Sequence, residues 1–505
     1  MTTENTSERS RRIARNTVLL YFRMFVLMAV GLVTSRVVLR SLGADEFGIY
    51  SAVAGIVMLF TLLTASLSTA ISRFLTVELG RGDTEQLRRV FATSVMIQLL
   101  LSALIVVLAE PAGLWWISHR MVLPAGRIPA AQWVLQLSLL SLVIQLVSVP
   151  YNAAIIAHER MDAFAWISLF EAFGKLAVAY ALTVSEGDRL ILYAGLLAAV
   201  SFVTRLLYGL FCRRHFAESR YRLRLDRPLF KEIFSFAGWN FIGAGAGILR
   251  DQGGNQLLNL FFGTVANAAW GIAAQVSGTV QKFVTSFTTA LNPQITKSYA
   301  SGERDYMFRL IFRGSRISVY LLLLVVLPVV FNADFLTTLW LGDVPEGTVL
   351  FIRLVLVYLT VEAVSFTMVT AMLATGDIRD YQIVVGGLSL LNLPVDWVLL
   401  HYGAPAHCIY VVAIVIAFCC LAARLVMLHR MIGLAVGRFL TEVLGRELLV
   451  AALAVSLPLA LVYVLPLESW WGFLVHAGTT FCWTALCVLL VGMSGEERRQ
   501  LRFLK

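Results

Sequence analysis

Charge is scarce in this sequence. Asp, Glu, Lys and Arg make up 14% of its 505 residues, where a soluble chain carries about 25%. That is too little charged surface to solvate the roughly three globular domains such a length would allow. Disorder is excluded as well, because it needs low hydrophobicity and high charge, and here 59% of residues are hydrophobic. Cysteine is equally thin, with six residues. Cys408, Cys419, Cys420, Cys482 and Cys487 fall inside apolar runs and Cys212 at the end of one. None has the spacing of a disulfide framework or a metal centre, so they read as soft packing residues. No phosphate loop ending in Gly-Lys-Ser or Gly-Lys-Thr is present, which excludes ATP hydrolysis by that route. His158-Glu159 begins like a zinc-protease helix, but the second His is missing. The glycines from Gly243 to Gly247 lie in an apolar run with no strand before them, so they are not a dinucleotide loop. Strand periodicity is absent, and no cleavable signal is visible: the first apolar run is too long and no small-residue site follows it.

What remains is apolar, with a mean hydropathy of +0.79. A helix needs roughly 20 apolar residues to cross the hydrocarbon of a bilayer. About fourteen runs qualify on that basis: 16–40, 47–74, 90–117, 130–157, 163–184, 190–212, 234–262, 265–293, 308–331, 350–375, 381–400, 406–428, 448–465 and 470–493. The backbone must satisfy itself in lipid, so these are helices. The 41 Lys and Arg then sort themselves. About 30 lie in alternate connections and only about five (Arg40, Arg120, Arg127, Arg189 and Arg353) in the others, the positive-inside asymmetry. The basic set includes Arg73 to Arg89, Lys297 to Arg316, Arg424 to Arg446 and the run Arg213–Lys231. That run reads as a topology signal facing anionic lipid rather than a nucleic-acid patch. Both termini are therefore expected in the cytoplasm. Trp115, Trp116, Trp340, Trp470 and Trp471 fall at the outer ends of runs, where interfacial aromatics belong.

A shift of 220 positions aligns two stretches without a gap. It superposes Gly43 on Gly263, Tyr50 on Trp270, Ala70 on Ala290, Gly82 on Gly302 and Arg89 on Arg309. Runs one and two correspond to runs seven and eight, so six helices repeat in parallel, an arrangement that builds transporters. The expected divisions are an N-terminal tail 1–15, a first lobe 16–212, a basic linker 213–233, a second lobe 234–430, two further helices within 431–493 and a tail 494–505.

Several runs carry polar stripes at helical spacing. Run seven has Asp251, Asn255 and Asn259, flanked by Gln252 and Gln256, with Gly243, Gly245, Gly247, Gly253 and Gly254. Run eight has Gln275, Gly278, Lys282, Thr285, Thr289 and Asn292. Run four has Ser138, Ser141, Gln145, Ser148 and Asn152, and run two has Thr61, Thr64, Ser68 and Ser72. Such stripes face a hydrated cavity or hydrogen-bond to other helices. Ionisable residues are sharper signals, each costing about 2.5–3.5 kcal/mol at a helix centre. Lys175, Arg250 and Lys282 are near-central; Arg23, Arg36 and Arg205 lie where long side chains can snorkel. The acids are Glu110, Glu171, Asp251, Glu362 and Asp396. Glu171 and Lys175, one turn apart, suit an ion pair. Arg250 and Asp251 diverge by ~100° around a helix, which predicts incomplete neutralisation. Glu362 has no local partner and either pairs across the bundle or titrates. Arg and Lys on several helices suit an anion such as diphosphate.

The order of local motifs carries a family resemblance. The stretch 16–83 (NTVLLYFRMF … SRVVLRSLGADEFGIYSAVAG … STAISRFLTVELGRGD) resembles the start of bacterial polysaccharide flippases of the O-antigen or capsule type. So do Ser148-Val149-Pro150-Tyr151-Asn152-Ala153 with His158-Glu159-Arg160-Met161, Gly238-Trp239-Asn240, Leu291-Asn292-Pro293-Gln294-Ile295 and Ser298-Tyr299-Ala300. The resemblance implies an all-α integral membrane protein of about 14 transmembrane helices: two six-helix lobes in a V-shaped, MATE-like fold plus two C-terminal helices. It implies flipping of undecaprenyl-diphosphate-linked oligosaccharide across the inner membrane by alternating access, driven by H+, Na+ or the membrane potential, with no cofactor. It implies membrane lipid and polysaccharide polymerase or assembly proteins as partners, and no nucleic acid. The basic residues that fit substrate binding are Arg23, Arg36, Lys175, Arg250 and Lys282, joined by Asn255 and Asn259; Asp251, Glu362 and Glu171 are the candidates for ion coupling. Pro150, Pro293 and Pro394 are candidate bend points.

Two other classes compete. A MATE-type multidrug antiporter wants uncompensated acids, which Asp251 and Glu362 supply and Arg250 and Lys282 oppose. A membrane enzyme wants sizeable outer loops with paired carboxylates or a nucleophile and base. The outer connections near 118–129 and 332–349 are short and hold neither, so no catalytic or metal-binding residue is expected.

Overall fold

The computed structural model describes residues 3–58, 61–119, 126–185, 187–220, 226–341, 344–462 and 470–493. Arg120, Arg222, Arg224 and the 494–505 tail lie outside the described residues, as do the side chains of Thr61 and Asn259. The chain divides into two compact units, Arg15–Phe241 and Ile242–Lys505 with Met1–Ala14. Among the described residues there is no strand.

The helices are α1 (Thr3–Met58), α2 (Thr61–Arg81), α3 (Thr84–His119), α4 (Ile128–Ala157), α5 (Met161–Ala181), α6 (Arg189–His215), α7 (Arg227–Phe262), α8 (Thr264–Ala300) and α9 (Arg304–Phe331). They continue as α10 (Ala333–Leu341), α11 (Thr348–Ala363), α12 (Phe366–Thr375), α13 (Arg379–Leu390), α14 (Asn392–His401), α15 (Cys408–Ile432), α16 (Val436–Phe439), α17 (Gly445–Val462) and α18 (Trp470–Cys487).

Among the described residues, ten helices are long and apolar enough to cross a membrane; the bent pair α11–α12 makes eleven. The expected fourteen is therefore not reached on this measure. Runs 234–262 and 265–293, both with polar stripes, are not among the qualifying helices, and run 47–74 crosses residues 59 and 60, which lie outside the described residues. Length is not the deficit of runs 234–262 and 265–293, since α7 has 36 residues and α8 has 37. Their polar groups lower the hydropathy. Of run 47–74, residues 47–58 belong to α1 and 61–74 to α2. α1 continues through Gly43, while the repeat-related Gly263 takes φ +76° and separates α7 from α8. A helix tolerates one Gly at about 1 kcal/mol, so only the left-handed φ makes Gly263 a break.

Within the first unit, α4 packs on α2, α3, α5 and α6. Its core joins Ile49 and Val53 of α1, Ile105 and Ile117 of α3, Val134, Leu135 and Leu146 of α4, and Leu190 and Ala194 of α6. Within the second unit, α8 packs on α9, α11 and α12, while α15 packs on α11, α13 and α14. Helices α17 and α18 pack on each other and on α9. The buried His476 ties this group together, its ring meeting the Asn332 amide at 3.0 Å and the Pro458 carbonyl at 3.2 Å.

The α11–α12 break bends the span by 42° without a proline. From α9 the Ser315 hydroxyl takes up a freed backbone group, donating to the Val364 carbonyl at 2.8 Å, and Thr367, just past the break on α12, donates back to the Ile311 carbonyl of α9 at 3.1 Å. Of the expected bend points, Pro150 and Pro293 lie inside unbroken helices. Pro394 sits in the first turn of α14, where its missing N–H leaves no helical bond unmade.

Candidate functional site

Polar residues gather in two clusters, one in each unit. In the first unit, α1, α5 and α6 contribute. Glu171 and Lys175 form the expected ion pair, 2.6 Å apart and only partly buried. The half-buried Arg23 stacks on the Phe164 ring, its Cζ 4.3 Å from the centroid. It also interacts electrostatically with Glu171 and Tyr208, and its buried Nε has no hydrogen-bond partner. Arg205, one turn before Tyr208, lies over the Tyr151 ring at 3.8 Å. Gly209 leaves room for that pose, because a Cβ there would meet Arg205 Nη1 at 2.6 Å. Two cations, Arg23 and Lys175, thus share the single carboxylate of Glu171. Arg36 is exposed and outside this cluster.

In the second unit the cluster spans α7, α11, α13 and α15. The Arg250 guanidinium donates to Asp251 at 2.9 Å and to the Tyr358 hydroxyl. The pair forms directly, although the divergence of neighbours on a helix predicted only incomplete neutralisation. The ~100° step applies to Cβ directions, and a long guanidinium stem folds back across it. One turn beyond Tyr358 on α11, in the last turn before the break, Glu362 meets Arg424 at 3.4 Å. Arg424 is 8% exposed and Glu362 20%, so Glu362 pairs across the bundle. Arg424 also interacts electrostatically with the buried Tyr381 of α13. Two cations here face two carboxylates, and the cluster is balanced.

Small residues on α7 let its neighbours in. A Cβ at Gly243 would meet Gln382 Oε1 at 1.8 Å, and one at Gly253 would meet Leu393 Cδ2 at 2.4 Å. Gly245 and Gly247 have open space instead. Asn255 is half-buried. On α8, Lys282 is exposed and its ammonium makes no hydrogen bond or ion pair among the described residues. Asn292, lower on the same stripe, accepts from Thr370 at 2.8 Å, so that part of the stripe bonds between helices.

Sequence reasoning missed several members. Arg424 was read as a loop residue because it lies close to the end of run 406–428, and charge position alone does not distinguish the last turns of a helix from its flank. Tyr358 and Tyr381 look like ordinary core aromatics in one dimension. Asp396, already conspicuous as an acid in an apolar run, and the overlooked Asn392, four before it on α14, are 1% and 2% exposed. One oxygen of each has no partner, and their i, i+4 spacing was the available signal. No group of three or more metal-ligating side chains occurs among the described residues.

Residues 13–299 match a family described as polysaccharide biosynthesis protein. The chain is 21% identical over 478 residues to an uncharacterized membrane protein, EpsK, of Bacillus subtilis (strain 168), with 92% of each covered. Among solved structures it is similar to an outward-facing multidrug resistance MATE family transporter of the MOP superfamily, with a TM-score of 0.74 at 14% identity, covering 86% of this chain and 99% of that one. It is similar, with a TM-score of 0.69 at 14% identity, to a MOP superfamily transporter from Pyrococcus furiosus described as having a binding pocket of reversed polarity; 85% of this chain and 96% of that one are covered. At that identity the likeness concerns the fold, which is all-α and MATE-like.

Proposed function

Because this chain belongs to the polysaccharide biosynthesis protein family, we propose that it is a flippase that moves undecaprenyl-diphosphate-linked oligosaccharide across the bacterial inner membrane by alternating access. The family and fold make it a multi-pass membrane transporter; substrate, membrane and orientation are our reading. Both termini are placed in the cytoplasm, and polysaccharide polymerase or assembly proteins are the partners.

The observation that carries the reading is unshared positive charge. Among the described residues, Arg23 and Lys175 have one carboxylate between them, and Lys282 has none. A diphosphate supplies the missing negative charge, and charge-assisted hydrogen bonds to its oxygens are the strong kind. Arg250 is already engaged by Asp251 and Tyr358, so it serves substrate only by exchanging those partners. Arg36, Asn255 and Asn259 stay as candidate contacts to the glycan or diphosphate. Glu171, Asp251 and Glu362 are the coupling candidates, each releasing a paired cation when it takes up a proton. The test is a proteoliposome assay with labelled lipid-linked sugar under imposed proton and sodium gradients. Movement that follows one gradient supports the reading; no movement under any gradient defeats it.

A second reading, a cation-coupled multidrug antiporter, has one observation in its favour. Asp396 is a buried acid with an unpartnered oxygen, the kind of group an organic cation would neutralise. Drug sensitivity on deletion with surface glycan intact would favour it. Loss of surface glycan without drug sensitivity would exclude it.

A further inference from the structure

The second unit holds a cavity of about 340 Å³ where α8, α9, α10 and α11 meet. It is open on one side, and its apolar wall includes Val276, Phe283, Val329, Leu336 and Trp340. Three polar side chains also line it, and two of them are turned back on their own helices. The Thr279 hydroxyl donates to the Gln275 carbonyl at 2.9 Å, and the Thr337 hydroxyl donates to the Ala333 carbonyl at 2.7 Å. The interior therefore offers hydrocarbon and the Gln275 amide, with little to hold a polar solute. Gln275, Thr279 and Lys282 follow one another at steps of four and three, along one stripe of α8. Lys282 stands about 4.5 Å further along the axis than Thr279, exposed and without a partner among the described residues. An apolar cavity with a free ammonium beside it is the complement of an amphiphile with an anionic head.

We propose that this cavity holds the isoprene units nearest the diphosphate of a polyprenyl diphosphate, with the Lys282 ammonium on the diphosphate itself. The inference rests on the flippase reading and assigns part of its substrate to one place in one unit. The volume fits. A cavity of about 150 Å³ lined by aliphatic and aromatic side chains takes a benzene ring, so 340 Å³ takes about two branched five-carbon units. In a bilayer the tail gains nothing by leaving water, so its attraction to the cavity is close packing. That makes the site sensitive to anything that fills it.

The test uses the full chain in detergent micelles. Binding of undecaprenyl diphosphate without sugar, and of inorganic diphosphate, is read by native mass spectrometry. Alkylation of Thr279→Cys by N-ethylmaleimide is followed on its peptide, with undecaprenyl diphosphate or phosphatidylglycerol present. Val329→Trp, which fills the cavity, should weaken undecaprenyl diphosphate about fivefold, as the loss of roughly ten dispersion contacts would, and leave inorganic diphosphate unchanged. Lys282→Gln should weaken undecaprenyl diphosphate about tenfold. Undecaprenyl diphosphate should protect Thr279→Cys where phosphatidylglycerol at equal concentration does not. Equal protection by phosphatidylglycerol would make this a general lipid site and overturn the proposal, as would absence of protection or unchanged binding in Val329→Trp. The two readings fail separately. A wild-type protein that binds as described but flips nothing overturns the flippase; one that flips while its binding ignores both variants overturns the cavity.

Discussion

Glu362 and Arg424, 62 residues apart in the sequence, meet with Nη1 3.4 Å from Oε1 inside the second unit. Their helices, α11 and α15, pack side by side. Glu362 stands just before the bend that splits α11 from α12.

Removing one partner of this pair should cost more than removing both. Glu362→Leu leaves Arg424, 8% exposed, facing no carboxylate, at a cost of about 3–5 kcal/mol. The double variant Glu362→Leu with Arg424→Leu should recover most of that, because apolar replacement of a buried pair is near neutral. Thermal unfolding in detergent measures both, and a double variant no more stable than the single would show that the pair is not coupled.

Arg250 and Lys282 should separate stability from transport. Arg250→Ala breaks hydrogen bonds to Asp251 and Tyr358, so its melting point should fall, by the equivalent of about 1–3 kcal/mol. Lys282→Ala removes an exposed ammonium with no bond to lose, and stability should hold within about 0.5 kcal/mol while flipping drops. Normal flux per folded molecule in Lys282→Ala would remove that residue from the substrate path.

Acid should loosen the end of the first unit where α4 and α6 begin. There the Arg127 guanidinium bridges Asp188, at 2.8 Å, and Glu46. Asp188 also accepts from the Leu190 and Ile191 amides at 3.1 and 3.3 Å, capping α6. Desolvation works against its ionisation, but the Arg127 and backbone hydrogen bonds outweigh it and hold the carboxyl below its ordinary 3.8. A depressed carboxyl gives stability that is complete above the unfolded value and is lost as pH falls through the folded one. Melting points measured from pH 6 down to about pH 3 should therefore fall more steeply in wild type than in Asp188→Asn. Parallel slopes would contradict this.

Asp396→Asn should leave folding intact and separate the two functional readings. The wild-type carboxyl is 1% exposed with one oxygen unpartnered, so a neutral amide of the same shape removes a buried charge cost. Melting should hold or rise. In the antiporter reading Asp396 holds the organic cation, so Asp396→Asn should abolish drug efflux. In the flippase reading coupling rests on Glu171, Asp251 and Glu362, so flipping in Asp396→Asn should respond to the imposed gradient as in wild type, and a lost response would overturn that assignment.

The candidate sites were legible where the chemistry is local. Glu171 and Lys175 lie one turn apart, and that spacing alone predicted their bond. Lys282 stood out because an ammonium in an apolar run has few explanations. Arg250 with Asp251 was misread because backbone angle was weighed without side-chain reach. Glu362 was correctly seen to need a distant partner, yet nothing in one dimension names Arg424. The helix break beside Glu362 carries no proline or glycine signal, since hydrogen bonds between α9 and the broken span, from Ser315 and from Thr367, stabilise it.

Run length and scarcity of charge by themselves decide that this is an all-α membrane protein, because lipid leaves a chain no other way to satisfy its backbone. They also decide which few ions are conspicuous. What each ion does is a matter of neighbours on other helices. Only the packed structure balances Arg250 and Arg424 against two acids, leaves Arg23 and Lys175 sharing one, and sets an apolar cavity beside Lys282. Electrostatic pairing depends on distance in space, and helices brought together from far along the chain set that distance.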